Sequence, residues 1–378
     1  MKKAVIAPDS FKGTMSSPEV CETINKAFKK IKPEVKTVKI PIADGGEGTV
    51  DAFLYAMGGE KIFVKTKNPL FEDIEAYYVI LKDGKTAVIE TAAASGLTLI
   101  ENRKNPLDSS AFGTGLLIKD ALDRGCEKVI LGLGGSATND GGAGIIAALG
   151  VKLLDENERE IDPSNRGLGN LKYIDETGLD PRLKNCEFTI ACDVENILCG
   201  PSGAAYVYGP QKGADEKTVK ILDENLTRYA DILREKTGMD IKNIPGTGAA
   251  GGILASLLSF PEYINCKICS GIDIILDTVG FDEIIKDADL IITGEGRFDS
   301  QSLHGKVVSG IAKRAKKQNK PVIIIAGGCG EYGDEIYDMG IQAIFTACSR
   351  VYTDFEEVKK LCVGDLYKTT ENILRVIF

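Results

Sequence analysis

The stretch KVILGLGGSATNDGGAGIIAALG (128–150) decides how this chain reads. Lys128 to Leu133 is an apolar run without polar alternation, the pattern of a strand covered on both faces, as in a parallel sheet. It breaks into Gly134-Gly135-Ser136-Ala137-Thr138-Asn139-Asp140-Gly141-Gly142, and a helical pattern follows at once. Glycines let the backbone approach a ligand closely and turn successive N–H groups into an anion-binding concavity. The N-terminus of the following helix adds positive potential. Ser136, Thr138 and Asn139 add neutral hydrogen-bonding groups. Asp140 either holds a metal or caps the helix, and both readings stand at this point.

The same grammar recurs outward from this stretch. KAVIAPDS (3–10), VKIPIADGG (38–46), FTIACDV (188–194), LIITGEGR (290–297) and VIIIAGGCG (322–330) are apolar runs ending in Gly, Asp or Ser, and each predicts a strand buried on both faces. Helical patterns lie between them. Ser16 and Glu19 have capping-box spacing with Pro18 in the first turn, Gly113-Thr114 leads into a helix that Gly125 closes, and 307–317 is amphipathic. This alternation predicts an α/β fold with a doubly wound parallel sheet. Strand-like sequence on both sides of Asp83-Gly84 predicts a hairpin, which breaks the rhythm. The expectation is therefore two domains. Residues 1–65 and 286–378 build one doubly wound domain, and 66–285 form an inserted mixed α/β domain.

The totals narrow the function. Among 378 residues, 43% are hydrophobic and 27% charged, an ordinary globular balance. The net charge of −9 argues against nucleic acid or an anionic membrane as the main partner, since both call for a basic footprint. No apolar stretch approaches the ~20 residues that span a bilayer. MKKAVIAPDSFKG reaches Asp9 too soon for a signal peptide and reads as the first strand, so a cytoplasmic protein is expected. The ten cysteines are expected as reduced thiols, and the CxxC of Cys266 and Cys269 lacks the second pair or histidines of a zinc site.

Ligands of open α/β sheets sit at the carboxyl ends of strands, and here those ends are loaded. They carry Asp9-Ser10-Phe11-Lys12-Gly13, Asp44-Gly45-Gly46-Glu47-Gly48-Thr49, the 134–142 loop, Asp193, and Gly294-Glu295-Gly296-Arg297-Phe298-Asp299. No Walker-type G-x-x-x-x-G-K-[ST] occurs. Gly246-x-Gly248-x-x-Gly251 matches a dinucleotide fingerprint in spelling only, because a polar segment ending in Pro245 precedes it; Gly248 reads instead as part of a glycine-rich helix start near a phosphate. No G-x-S-x-G occurs, and the single histidine, His304, has no nucleophile beside it. Phosphoryl transfer fits this inventory, because it needs positioning, charge neutralisation, a divalent metal and a base. Lys12 and Arg297 suit a phosphate or carboxylate. Asp9, Asp44, Asp193, Glu295 and Asp299 are candidate bases or metal partners.

At these residues the sequence resembles the type I glycerate kinase family. The resemblance is carried by APDSFKGTMSS (7–17), IADGGEGT (42–49), ETAAASGL (90–97), FGTGLLIKDAL (112–122), GLGGSATNDGGAGIIAALG (132–150), ACDVENILCGPSGAAYVYGPQKGA (191–214), GTGAAGG (246–252) and ITGEGRFDSQSLHGK (292–306). It implies ATP, Mg²⁺ and D-glycerate, with 2-phosphoglycerate the usual product in bacterial members. It also implies a flavodoxin-like domain built from both chain ends and an inserted restriction-endonuclease-like domain, with the catalytic cleft between them. Ile197 stands where the family commonly has proline, and the sequence from Thr346 onward matches weakly.

Each candidate then has an expected role. Asp9, Ser10, Lys12 and Arg297 bind substrate, with Lys12 or Arg297 on the glycerate carboxylate. Asp193, with Asp44 in reserve, orients or deprotonates the attacking hydroxyl. Gly134, Gly135, Ser136, Thr138, Asn139 and Gly248 hold ATP phosphates, and Asp140 or Glu295 places Mg²⁺. A 3-kinase, a kinase of a related hydroxy acid, a hydroxy-acid-binding regulator and an NAD-dependent oxidoreductase are the rival readings. Partners are small molecules, and the expected state is a monomer or homodimer.

Overall fold

The computed structural model describes residues 1–43, 46, 48–303 and 307–377. The chain folds as two compact units. One comprises Met1–Asp44, Asp51–Gly58 and Ser270–Phe378, and the other Gly45–Val50 and Gly59–Cys269.

In the first unit, five parallel strands run side by side in the order Ile341–Thr346, Val322–Ala326, Leu290–Thr293, Lys3–Ile6, Lys36–Lys39. Numbered along the chain and read from the Lys36–Lys39 edge, that order is 2-1-3-4-5, and its switch point lies between Lys3–Ile6 and Leu290–Thr293. Those two strands and Val322–Ala326 are wholly buried, as their unbroken apolar sequence requires. Lys36–Lys39 departs from expectation. It is half-exposed along its length, because it ends the sheet and has a neighbour on one side only. Helix Ser17–Ile31 begins with the Ser16/Glu19 capping box and Pro18 in its first turn. Its buried Val20, Ile24, Ala27 and Phe28 join the core beneath the sheet, and burying each large side chain contributes about 1.5–3 kcal/mol. The same helix packs on Phe355–Ile377.

The second unit holds a six-stranded sheet in the order Asn265–Cys269, Glu187–Ala191, Lys128–Gly132, Thr86–Glu90, Asp73–Leu81, Gly59–Lys67. The first four are parallel and the last two antiparallel. The hairpin turn at Asp83-Gly84 is present. Gly84 takes φ 70°, and the Asp83 carboxylate accepts the N–H groups of Lys85 and Thr86. Helix Phe112–Asp123 closes with Gly125 at φ 81°.

The junctions lie elsewhere than composition suggested. Strand Gly59–Lys67 pairs along its whole length with Asp73–Leu81, so the main segment of the inserted unit starts at Gly59 and not at 66, and Gly45–Val50 belongs to the same unit. Helices Gly271–Thr278 and Phe281–Ile285 pack on Val307–Lys317. There Arg314, with a side chain only 13% exposed, pairs with Asp273, Asp277 and Asp282. That packing assigns 270–285 to the unit of the chain ends. Among the described residues no helix is long and apolar enough to cross a membrane.

Candidate active site

The candidate residues fall into two groups, one at the carboxyl edge of each sheet. In the first unit the turns after Lys3–Ile6 and Leu290–Thr293 emerge side by side at the switch point. The N–H of Asp9 donates to the carbonyl of Gly294 at 2.8 Å. Gly294 has to lack a side chain, since a Cβ there would lie 1.9 Å from the Ile325 carbonyl oxygen. Arg297-Phe298 pairs in parallel with Gly328-Cys329, which fixes the backbone under the arginine. Together these turns line a recess of about 610 Å³. Asp9, Ser10, Lys12, Glu295, Arg297 and Asp299 form its polar part, and Phe11, Tyr352 and Phe355 part of its apolar part.

Asp9 is buried, and its carboxylate accepts from the Ser10 N–H at 2.6 Å. Glu295 is buried too. Arg297 projects outward with 77% of its side chain exposed, and its Nε lies 3.7 Å from Asp299. Partial burial of the Tyr352 phenol pushes its pKa up, and the hydrogen bond that its hydroxyl donates to buried Asp365 adds to the rise. This recess brings together Asp9, Ser10, Lys12, Glu295 and Arg297, which lie almost 300 residues apart in the chain.

In the second unit Glu90, Gly132 and Ala191 stand in register across three parallel strands. The segment Thr91–Ser95, the 134–142 loop and Asp193 therefore leave the sheet at one edge. Asp193 is exposed there. The Glu90 carboxylate accepts the Val50 N–H at 2.8 Å. The glycine loop is stitched to Thr91–Ser95 and to Leu97 just beyond it. Leu97 N–H donates to the Gly135 carbonyl at 2.9 Å, and Ala137 N–H to the Ser95 carbonyl at 2.8 Å. Gly135, at φ 74°, is exposed and Gly134 half-exposed. Among the described residues, the N–H groups of Gly134, Gly135 and Ser136 meet no acceptor. That is the surface an anion needs.

The rest of the loop faces inward. Thr138, Asn139 and Asp140 are fully buried. Both polar atoms of the Asn139 amide are enclosed without a partner. Asp140 accepts from the N–H groups of Ala111 at 2.7 Å, Gly144 at 3.1 Å and Gly142 at 3.2 Å. It thereby ties the N-terminus of Phe112–Asp123 to that of Ala143–Ala148. Burial pushes its carboxyl above the usual range, against the pull of these donors. The cap reading accounts for this geometry; a carboxylate so enclosed presents no oxygen to a metal.

Gly248 is buried as well. Its N–H donates to the Asn196 carbonyl at 2.8 Å, and a Cβ would stand 2.2 Å from the Ile197 carbonyl oxygen. It serves close packing. Gly251 does the same for the loop itself: a Cβ would lie 1.9 Å from the Thr138 oxygen, and its carbonyl accepts the Gly141 N–H. Asp44 and His304 lie outside the described residues.

Mg²⁺ takes one or two protein carboxylates and keeps several waters. Glu295, in the same recess as Asp9 and Asp299, fits that requirement. Among the described residues no group of three or more His, Cys, Asp or Glu side chains is placed to hold a metal. Cys266 and Cys269 lie on one strand, and burial pushes the Cys266 thiol up to about 12.

One residue escaped the sequence reading. Lys212 ends the turn Pro210–Lys212 and is 2% exposed, with its ammonium against the inner side of the glycine loop. The one trace in the sequence is that Lys212-Gly213 repeats the Lys12-Gly13 pairing of a cation with a glycine, which does not by itself tell a buried lysine from an exposed one.

Relatives alike over nearly the whole length place the chain among the kinases. The chain belongs to the glycerate kinase family, whose model matches residues 4–378, including the stretch after Thr346. It is 45% identical over 372 residues to the glycerate 2-kinase of Escherichia coli, covering 98% of this chain and 97% of that one. It is 48% identical over 345 residues to the glycerate kinase of Bacillus subtilis, covering 91% and 90%. A solved structure assigned as glycerate kinase 2, from Salmonella typhimurium LT2, matches with TM-score 0.89 and 42% identity over 100% of this chain and 98% of that one.

Proposed function

We propose that the chain transfers the γ-phosphate of ATP to a hydroxyl of D-glycerate, giving 2-phospho-D-glycerate. The observation that carries this reading beyond the family is the recess at the switch point. Its lining combines two exposed cations, Lys12 and Arg297, with the buried carboxylates Asp9 and Glu295. A small hydroxy acid needs a cation for its carboxylate and acceptors for its hydroxyls, and this lining offers both. The unit of the chain ends, of flavodoxin-like strand order, thus supplies the acid-binding residues.

The inserted unit supplies the phosphate cradle. Gly134, Gly135 and Ser136 donate backbone N–H groups to ATP phosphates, while Thr138, Asn139 and Asp140 brace the loop from inside. Asp193 orients the attacking hydroxyl and receives its proton; Asp44 is the reserve for that role. Mg²⁺, when bound, neutralises charge on the transferred phosphoryl group, and Glu295 is the residue that would hold it. Lys12 and Arg297 fix the carboxylate and so point one hydroxyl at the donor, which decides between 2- and 3-phosphoglycerate.

The test is a coupled assay for ADP release with ATP, Mg²⁺ and D-glycerate, followed by NMR of the product. Glycerate-dependent ADP with a phosphorus coupled to the C2 proton is the expected result. ADP release that does not depend on glycerate overturns the substrate assignment, and coupling to the C3 protons overturns the regiochemistry.

A further inference from the structure

Lys212 is a buried charge that the fold alone does not call for. The turn Pro210–Lys212 is reversed by Gly213 at φ 97°, where a Cβ would stand 2.8 Å from Cβ of Lys104. The lysine side chain is left 2% exposed. Its ammonium donates to Ser136 Oγ at 3.0 Å and to the Thr138 carbonyl at 2.6 Å. Both acceptors are neutral, and the third N–H has no acceptor among the described residues. Asp140 is the charged group that faces it, and that carboxylate is already engaged by three backbone N–H groups. Burying an ammonium is unfavourable unless it is fully paired, and a methionine would fill the same space without that penalty. The charge therefore has a use that this packing does not reveal. Lys212 grips Ser136 and Thr138 on the buried side of the loop, while Gly134 and Gly135, whose N–H groups meet no acceptor among the described residues, are its solvent-facing part.

We infer that Lys212 is a positioning residue for phosphate binding: it holds the glycine loop in its anion-receiving shape from behind and supplies the positive charge that a phosphate on the outer face answers. This rests on the reading of the loop as the ATP phosphate cradle. An anion at Gly134-Gly135 and the ammonium are separated by the buried segment Ser136–Thr138, and across buried protein attraction is screened far less than in water. Burial draws the Lys212 pKa down to about 7, with Asp140 opposing that shift. Phosphate binding restores the charged form, so nucleotide binding above neutral pH draws a proton from solvent.

Two measurements test this. In steady-state kinetics, Lys212→Met raises KM for ATP tenfold or more and leaves KM for glycerate within twofold; equal changes in both constants, or none in KM for ATP, overturn the inference. Should that variant not fold, calorimetric titration of the wild-type chain with ADP at pH 8, in buffers of different ionisation enthalpy, decides alone. Uptake approaching one proton is expected at that pH, where nucleotide phosphates are already fully ionised, and heats independent of buffer overturn it. Gly134→Val separates this inference from the reading beneath it. If Gly134→Val leaves KM for ATP unchanged, the cradle reading fails. If it raises KM for ATP and Lys212→Met does not, only the inference about Lys212 fails.

Discussion

Replacing Asp140 with alanine removes one fully buried carboxylate and strands three backbone N–H groups at 2.7, 3.1 and 3.2 Å from it. A buried donor without an acceptor costs about 1–3 kcal/mol, so three give roughly 3–9 kcal/mol. A water entering the vacated space recovers part of that. A loss of about 3–5 kcal/mol is therefore expected, a large share of the ~5–15 kcal/mol that holds a domain together. Because each kcal/mol shifts the midpoint by about 2–4 °C in a domain of this size, Tm falls by about 10 °C. Asp140→Asn should lie between, since its single acceptor oxygen faces three donors. The assay is thermal unfolding followed by circular dichroism, with Mg²⁺ present and absent, alongside activity against Mg²⁺ concentration. An Asp140→Ala protein that melts within ~2 °C of wild type, yet needs far more Mg²⁺ for turnover, would show that the carboxylate ligates metal and would refute the cap argument.

Catalysis, binding and pH each carry a further expectation. Asp193→Asn should lower kcat by about 10²–10⁴ with little change in Tm, the usual contribution of a general base; unchanged turnover removes Asp193 from that role. Arg297→Met and Lys12→Met are expected to separate, one of them raising KM for glycerate by roughly 10–100-fold, as loss of a charge-assisted bond of about 1.5–3 kcal/mol requires. Two variants with wild-type KM would move the carboxylate site out of this recess. For ligand-free protein, the depressed Lys212 pKa sets a pH trend. The unfolded lysine keeps its proton up to about 10.4 and the folded one releases it near 7, so the unfolded state binds more protons in between. Stability then rises with pH across that window, by roughly 2 kcal/mol between pH 7 and 9. Denaturant unfolding at those two pH values checks this, and a Lys212→Met protein should lack the rise.

Much of this was legible because strands buried on both faces need no partner pattern to be recognised. Leu290–Thr293 and Val322–Ala326 are apolar throughout, and the turns behind them must hold whatever the sheet binds. The capping box at Ser16 and Glu19 and the turn at Asp83-Gly84 were local enough to read directly. Less could be read where the answer lay far away in the chain. Thr138 and Asn139 look like ligand groups until Gly248–Gly252 packs down on the loop and closes them in. The choice between cap and metal ligand at Asp140 hung on the N–H of Ala111, 29 residues earlier. Lys212 reads as a surface residue, as a lysine between Gln211 and Gly213 ordinarily is, and only tertiary structure turns it inward. The half-exposed Lys36–Lys39 reads as a buried strand because an edge position is a property of the sheet and leaves little trace in four residues.

The strand Lys3–Ile6 lies inside its sheet, between the edge strand Lys36–Lys39 and Leu290–Thr293. On the ribosome it is made well before its inner neighbour, which emerges nearly 290 residues later. At about 5–20 residues per second, a bare apolar segment waits some 15–60 s for that neighbour, while the inserted unit, contiguous from Gly59 to Cys269, can fold as it appears. Nascent chains of this protein should therefore carry an unpaired leading strand attached to a finished body, and be most vulnerable to chaperone capture or aggregation through that short run.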